Sequence, residues 1–473
     1  MKQTHDFTKG KVAGPLLKMA VPLIATNFIQ TAYNITDMIW VGKLGSGAVV
    51  SVGTAGFAVN MATALFTLVA TGTGIKLAHS IGAKDHGALK QYIVNSYLMA
   101  AVLAVLYAGG VFIFQDALLS FFNLGDPTIV AHAKDYLVIS MVSVPFMFFN
   151  MLYASILNSY GNSKRSFQLN TFGLLANMVL DPLLIFGLGG VLQLGVAGAA
   201  WASLIGRLIV FSLSLYDSRR VLRDQARDIK LDNSKIREVM VMGLPFTLQR
   251  VAFTGIGIYM AKLIADFGAV GIAVQKIGLQ VEAISYMTIG GLYGAVSVFI
   301  GQNYGAKQIK RIGIGYRVGL AFSIVFGLFT TGVFLAFARP IFSIFVADQA
   351  TIAMGVQYLT IIGLSQVFMC MEIVGMASFN GMGKTYVPAA VSLTFTTLRI
   401  PLALYLAHKV NLGLDGVWWS ISGTSMVKGS VLTLFFVAYL IWKQRQVSGH
   451  ISGQASREKE VEPVDMERSE AHG

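Results

Sequence analysis

Two carboxylates and one carboxamide stand inside long apolar stretches in the N-terminal half of this chain. Asp37 ends the segment Asn-Ile-Thr-Asp at 34–37, and Asn177 precedes Asp181 by four residues. Four residues make one helical turn, so Asn177 and Asp181 share a helix face. If both stretches are membrane helices, each aspartate lies roughly six to eight residues, or about 10 Å, below the same membrane surface. Equal depth allows the three side chains to form one site.

Oxygen atoms grouped in this way can bind a small cation. Two carboxylates in a low-dielectric environment cannot both stay ionised without a positive charge between them. A proton meets this need, and so does Na⁺ when amide and hydroxyl oxygens complete its ligands. Pro182 lacks a backbone N–H and leaves a carbonyl oxygen free beside Asp181. The alternative is that each aspartate bonds only to helix backbone or pairs with a base such as Arg207.

The C-terminal half carries a different set of charges within its apolar stretches. Arg250 and Glu282 fall near the middle of two neighbouring predicted helices. They either form a buried ion pair or face a cavity, and the sequence favours neither. Glu372 is expected to pair with another side chain, and it is also the best remaining candidate to bind a cationic substrate. Three further bases in these stretches are expected to form structural pairs: Lys276, Arg399 and Lys428.

Membrane helices must position these side chains, because the chain is too apolar for a water-soluble fold. Of its 473 residues, 55% are hydrophobic and only 12% are charged, about half the charged share of an average soluble domain. Apolar stretches of about 20 residues or more occur about twelve times, each long enough to cross a bilayer. They cover 15–41, 48–73, 91–114, 134–158, 166–188, 194–215, 237–264, 270–301, 313–338, 353–379, 386–407 and 415–442.

The net charge of +13 is explained by the loops rather than by nucleic acid binding. Basic residues gather in alternate connections, above all between 217 and 237, and such connections are typically cytoplasmic. We therefore expect a multi-pass protein of the inner (plasma) membrane with both termini in the cytoplasm. The polar residues 448–473 are expected to form a disordered cytoplasmic tail.

Four short segments recur in the same order at an offset of about 220 residues. Gly-Ala-Lys at 82–84 returns at 305–307, and the proline-centred segment at 20–23 returns at 243–246. The segments at 161–164 and 194–198 return at 381–384 and 412–416. Each copy holds six spans, so the repeats are parallel. We expect an all-α membrane protein with an N-lobe at 1–216, a cytoplasmic linker at 217–236 and a C-lobe at 237–447, around a central cavity.

Known enzyme signatures do not appear in the chain. It has no Walker A loop, no His-Glu-x-x-His segment and no paired-cysteine motif, and Cys370 is its single cysteine. We therefore expect no enzymatic activity, no catalytic residue and no cofactor. The only metal expected is Na⁺, at Asp37, Asn177 and Asp181.

Several stretches together resemble one transporter family. They are Pro22 with Asn-Ile-Thr-Asp-Met-Ile-Trp-Val-Gly at 34–42, Gly-Gln-Asn-Tyr-Gly-Ala at 301–306, Asn177-x-x-x-Asp181-Pro182, and Gly-Val-Ala-Gly-Ala-Ala at 195–200. Over nearly its whole length the chain resembles the multidrug and toxic compound extrusion (MATE) family of secondary transporters.

The resemblance implies two six-helix lobes and antiport of cation and drug. It also implies an N-lobe cation site at Asp37, Asn177, Asp181 and Ser203, the last where relatives often have Thr. The chain departs from the pattern in helix 7, where some relatives carry a functional glutamate. Here Gln249 and Arg250 follow the proline, which favours the N-lobe over the C-lobe as the place where the cation binds.

The expected function is export of lipophilic, cationic drugs by alternating access. The driving ion is H⁺ in preference to Na⁺, Pro22 supplies a bend in helix 1, and the protein works as a monomer. A lipid-linked oligosaccharide flippase is the first alternative, because it needs a cationic cavity and the C-lobe is rich in bases. A membrane-embedded transferase is the second, and it would need a His/Asp cluster at the membrane interface.

Overall fold

A computed structural model describes residues 6–187, 193–225 and 231–461. Within these ranges the fold is helical and contains no β-strand. The first six helices are α1 (Ala13–Gly42), α2 (Ser46–Ala83), α3 (His86–Phe121), α4 (Pro127–Ser159), α5 (Ser163–Phe186) and α6 (Gly195–Gln225). The others are α7 (Asn233–Ala265), α8 (Ala269–Gly305), α9 (Ile309–Phe345), α10 (Gln349–Gly363), α11 (Gln366–Gly381), α12 (Tyr386–Leu404) and α13 (Gly413–Val461), with a π-helical turn at Tyr405–Lys409.

These helices form twelve spans. Ten of the described helices are long and apolar enough to cross a membrane, and the bent pair α10–α11 forms an eleventh span. The 30-residue helix α1 is also long enough to cross a membrane and gives the twelfth span. The sequence predicts the span at 353–379 as one helix, but the structure breaks it by 45° between Gly363 and Gln366. The protein is therefore an all-α, multi-pass membrane protein.

Helices extend into both the predicted linker and the predicted tail. α6 continues to Gln225 and α13 continues to Val461, so the boundaries predicted at 217 and 448 fall within helices. Residues 226–230 of the linker and 462–473 of the tail lie outside the described residues.

The repeat seen in the sequence has the same backbone geometry in both copies. Lys84 and Lys307 adopt left-handed conformations with φ of 56° and 58°, and Gly161 and Gly383 both have φ of 75°. Packing repeats as well: α1 lies against α5 as α7 lies against α12, and α2 lies against α4 as α8 lies against α11. The two halves are therefore copies of one six-span lobe, as the sequence predicts.

The two lobes meet mainly through α1, α2, α7 and α8. Near the face that carries the N-terminus, glycines let α2 and α8 cross closely. A Cβ at Gly82 would collide with the Gln302 carbonyl, and one at Gly305 would collide with the His79 carbonyl. Residues 79 and 302 are themselves matched in the repeat, so the crossing is nearly symmetric.

Polar contacts between the lobes lie on the same side of the bundle. They include Lys76–Glu238, His79–Gly381, Ser159–Gln302, Phe7–Asn303 and Asn27–Met287. The deepest of the inter-lobe hydrogen bonds between described residues involve Asn27 and Thr31, near the middle of α1. The bundle is therefore closed toward the face that carries the N-terminus.

Candidate functional site

The polar residues of α5 lie on its buried face. Asn177 is 3% exposed and Asp181 is fully buried. α6 approaches α5 closely at this height, because a Cβ on Gly206 would lie 3.0 Å from the Gly173 carbonyl oxygen and 3.2 Å from the Asn177 Cβ. This packing places the first turns of α6 beside Asn177.

Ser203 on α6 connects three helices. Its hydroxyl accepts a 3.2 Å hydrogen bond from Nδ2 of Asn177 on α5. It also shares a 3.1 Å hydrogen bond with the hydroxyl of Tyr33 on α1. Tyr33 precedes Asp37 by one turn, just as Asn177 precedes Asp181, so each helix presents two polar side chains on one face. The structure thus brings Ser203 and Asn177 into direct contact.

The acidic side chains keep oxygen atoms without a partner in the protein. These buried atoms are Oδ1 of Asp37, both carboxylate oxygens of Asp181 and Oδ1 of Asn177. Buried acceptors without donors are costly and uncommon in folded proteins. Four such atoms on two packed helices form a group that accepts hydrogen bonds or binds a cation.

Asp37 and Asp181 also act on each other. The two carboxylates are close enough to interact electrostatically. Each lies five residues before the end of its helix, at Gly42 and at Phe186. The two acids therefore lie equally far from their helix ends, and nearer to them than the six to eight residues expected. At a rise of 1.5 Å per residue, five residues correspond to about 7.5 Å.

Arg207 does not neutralise these acids. Its guanidinium donates to the hydroxyl of Ser143, and its backbone carbonyl accepts a 2.9 Å bond from Asn150. Among the ion pairs between described residues, none joins Arg207 to Asp37 or Asp181. The alternative in which Arg207 pairs with an aspartate is therefore wrong for this structure.

Pro22 lies inside α1 without ending it. The helix runs continuously from Ala13 to Gly42, and the Pro22 carbonyl accepts a 2.9 Å bond from the Thr26 hydroxyl. The residues that follow meet the other lobe, where Ile24 lies against Gly291 of α8. The residues before Pro22 contact the C-lobe as well, since Leu16 and Ala20 belong to one core cluster with Leu292. The role of Pro22 as a bend stays a prediction.

A cavity of about 450 Å³ lies within the C-lobe, between α7, α8, α11, α12 and α13. Arg250 and Glu372, both singled out in the sequence, line it. Glu372 pairs with Lys428 across 2.9 Å, with exposures of 9% and 5% for the two side chains, and it also accepts a 3.3 Å bond from Ser392. Glu372 and Lys428 thus each have the structural partner expected for them, although the sequence does not identify that partner.

Arg250 and Glu282 do not form the ion pair that was one of the two predicted alternatives. Glu282 is buried and accepts a hydrogen bond from the Tyr358 hydroxyl, and it is not among the cavity residues. Arg250 is exposed at the cavity and belongs to no ion pair between described residues. The reason is helix rotation, which turns Glu282 toward α10 and Arg250 toward the cavity.

The two other predicted bases have different surroundings. Arg399 is 8% exposed and donates to the Thr424 and Ser425 hydroxyls at 2.9 Å and 2.8 Å. Lys276 lies elsewhere, in a separate pocket with Gln280 and Phe345. The structural pairs predicted for Arg399 and Lys276 are absent from the ion pairs of the described residues.

Sequence reasoning missed Tyr33. Its signal was available, because Tyr33 and Asp37 have the four-residue spacing that drew attention to Asn177 and Asp181. In the described part of the chain no group of three or more His, Cys, Asp or Glu side chains could hold a metal ion. The N-lobe oxygens therefore suit H⁺ or Na⁺ better than a transition metal.

Known proteins match this chain over most of its length. The MatE family model matches residues 22–183 and 245–405, one match in each lobe. A probable multidrug resistance protein NorM of Thermotoga maritima is 23% identical over 435 residues, covering 91% of this chain and 93% of that protein. A probable multidrug resistance protein YoeA of Bacillus subtilis is 26% identical over 459 residues, covering 94% and 97%.

A solved structure has the same fold. It is described as the outward-facing conformation of a multidrug resistance MATE family transporter of the MOP superfamily. The TM-score is 0.83 at 23% identity, and the match covers 92% of this chain and 97% of that chain. The two family matches fall on the two copies of the repeat, with Asp37, Asn177 and Asp181 inside the first. The chain belongs to the MatE family and is therefore a membrane transporter rather than an enzyme.

Proposed function

We propose that this protein exports lipophilic, positively charged drugs by antiport, with H⁺ as the driving ion and Na⁺ as the second choice. The relatives named as multidrug resistance proteins support the export of drugs. The observation that supports coupling to an ion is the group of four oxygens on Asp37, Asn177 and Asp181 that have no hydrogen-bond partner. A proton on this group removes one buried negative charge and needs only the carboxylates of Asp37 and Asp181.

The inter-lobe contacts support a mechanism of alternating access. The closed face carries the N-terminus, and the basic connections predict that this face is cytoplasmic. The described state therefore faces outward. In this state the N-lobe acids take up the cation, and drug leaves to the outside. The lobes then rock inward, where the cation leaves and drug binds.

Coupling requires only that ion and drug favour different states or compete for the same carboxylates. The hydrogen bonds of Ser203 and Tyr33 join α1 to α5 and α6. A change in charge at Asp37 or Asp181 therefore acts on all three helices. Pro22 removes one backbone hydrogen bond from α1 and supplies the place where this helix can bend. The protein works as a monomer in the cytoplasmic membrane, with no cofactor.

Transport in liposomes tests the proposal. Uptake of ethidium by purified protein is measured with a pH gradient or a Na⁺ gradient imposed separately, for wild type and Asp37→Asn. We expect a pH gradient to drive uptake in wild type and not in the variant. Asp116→Asn is the matched control, because Asp116 is an exposed acid paired with Lys134 at 2.8 Å. Uptake driven only by Na⁺ would change the ion, and no uptake with either gradient would favour the lipid-linked oligosaccharide flippase.

A further inference from the structure

We propose that the C-lobe cavity is a binding site for an amphipathic organic anion, one that joins a carboxylate or phosphate to an apolar or aromatic body. This site goes beyond the proposed exchange of cations and cationic drugs. It rests on the charges of the cavity wall, on one buried guanidinium with no described acid at ion-pair distance, and on the apolar surface around both.

The cavity wall is basic. Arg250, Arg399 and Lys428 line it together with a single acid, Glu372. Because Glu372 and Lys428 pair at 2.9 Å, their charges cancel and the two arginines remain. Glu372 also acts on Arg399 electrostatically, and so does a nearby second acid, Glu282. It is not among the cavity residues and bonds instead to the hydroxyl of Tyr358.

Arg399 is the central feature of the site. Its side chain is more than nine-tenths buried, yet within the described residues no carboxylate lies at ion-pair distance from it. Its guanidinium donates hydrogen bonds to two neutral hydroxyls, on Thr424 and Ser425. The Phe253 ring lies 6.0 Å from the guanidinium, and Glu282 and Glu372 act on it from beyond ion-pair distance. A buried cation with no anion in direct contact is costly, and an anion in the cavity would offset that cost. A guanidinium has five donors, so several remain for an incoming carboxylate or phosphate.

Arg250 supplies a second cation at the rim. It lies on α7, which packs against α12, the helix that carries Arg399. Arg250 is exposed, so it can meet an anion before the ligand reaches the buried Arg399. The rest of the wall suits an apolar body, with three aromatic and two methionine side chains: Phe246, Phe253, Tyr286, Met369 and Met376. Aromatic rings and flexible thioethers can pack against flat organic groups, and such a wall accepts ligands of more than one shape.

Calorimetry on purified protein in nanodiscs tests the site. The probes are 2-naphthoate and its neutral analogue 2-naphthalenemethanol, with the signal of empty nanodiscs subtracted. We expect wild type to bind naphthoate about tenfold or more tightly than the alcohol, the effect of one charge-assisted hydrogen bond. This readout needs no ion gradient, so its failure would leave the proposed antiport standing, and the reverse holds as well.

Three variants locate the binding. Arg399→Gln and Arg250→Gln should each remove most of the preference for naphthoate, whereas Lys276→Gln, an intramembrane base in another pocket, should keep it. Arg250 is exposed, so its variant should fold even if the Arg399 variant does not. The proposal is overturned if wild type shows no preference for naphthoate, or if folded Arg250→Gln retains the wild-type preference.

Nanodisc composition separates two sources of the anion. If the natural ligand is the headgroup of an anionic lipid, phosphatidylglycerol nanodiscs should lower the naphthoate affinity of wild type to that of Arg250→Gln and leave the variant unchanged. If the ligand is a soluble amphipathic anion, phosphatidylglycerol should affect wild type and variant equally. Either result supports an anion site and identifies its source.

Discussion

The ammonium of Lys76 on α2 lies 2.6 Å from the carboxylate of Glu238 on α7, so an ion pair joins the two lobes near the face that carries the N-terminus. The Tyr92 hydroxyl of the N-lobe donates to the same carboxylate oxygen, also at 2.6 Å. Lys235 approaches the other oxygen at 3.2 Å. Glu238 is thus held by two N-lobe side chains, and these bonds must break when the lobes separate at this face.

Replacing Glu238 by Gln should favour the state that is open at this face. A partly exposed ion pair contributes roughly 1 kcal/mol, so the ratio of the two states should change about fivefold. Spin labels at Phe57 on α2 and Ile258 on α7, both exposed and both toward the opposite face, report the change. The labels are placed on a Cys370→Ala background, since Cys370 is the only native cysteine.

The distance distribution between these labels should gain a shorter component in Glu238→Gln as the opposite face closes. Asp116→Asn removes an ion pair that lies within the N-lobe and should leave the distribution unchanged. If Glu238→Gln also leaves it unchanged, the pair with Lys76 does not hold the lobes together.

Ser203 should matter for transport through its hydroxyl. Ser203→Ala removes the acceptor of the Asn177 amide and the partner of Tyr33, at a cost of about 1 kcal/mol, and should slow drug efflux several-fold. Ser203→Thr keeps the hydroxyl and should transport at nearly the wild-type rate. Ser214→Ala on the same helix is the control, because the buried Ser214 hydroxyl has no partner. Equal efflux rates for Ser203→Ala and Ser214→Ala would remove Ser203 from the site.

Breaking the buried pair of Glu372 and Lys428 should destabilise the C-lobe. Glu372→Gln leaves the buried Lys428 ammonium without its anion, which should lower the free energy of unfolding by about 3 kcal/mol. The double variant Glu372→Gln/Lys428→Met removes both charges and should regain most of the loss. Thermal unfolding in detergent measures both effects, and a Glu372→Gln variant as stable as wild type would show that the pair contributes nothing.

The sequence predicts the architecture because the bilayer restricts it. Apolar length sets the spans, and the repeated segments at 82–84 and 305–307 reappear with matching left-handed lysines. The equal depth of Asp37 and Asp181 follows from counting residues along two helices. These features depend on position along a helix axis, which a sequence records directly.

Which side chains of different helices pair depends on how each helix is rotated about its own axis. The sequence of a membrane helix does not reveal this rotation. Apolar residues cover both the buried and the lipid-facing sides, so no periodicity distinguishes the two. This is why Glu282 was considered as a partner of Arg250 and is bonded to Tyr358 instead. The same reason explains why Tyr33 was missed, although its spacing to Asp37 was visible.

Release of protons on drug binding tests the central claim most directly. Purified protein in weakly buffered detergent near pH 7 is mixed with tetraphenylphosphonium, and a pH-sensitive dye records the protons set free. The account predicts release by wild type and by Asp116→Asn, and its loss in Asp37→Asn/Asp181→Asn, because drug and proton compete for the N-lobe carboxylates. Undiminished release by the double variant would contradict the assignment of coupling to Asp37 and Asp181.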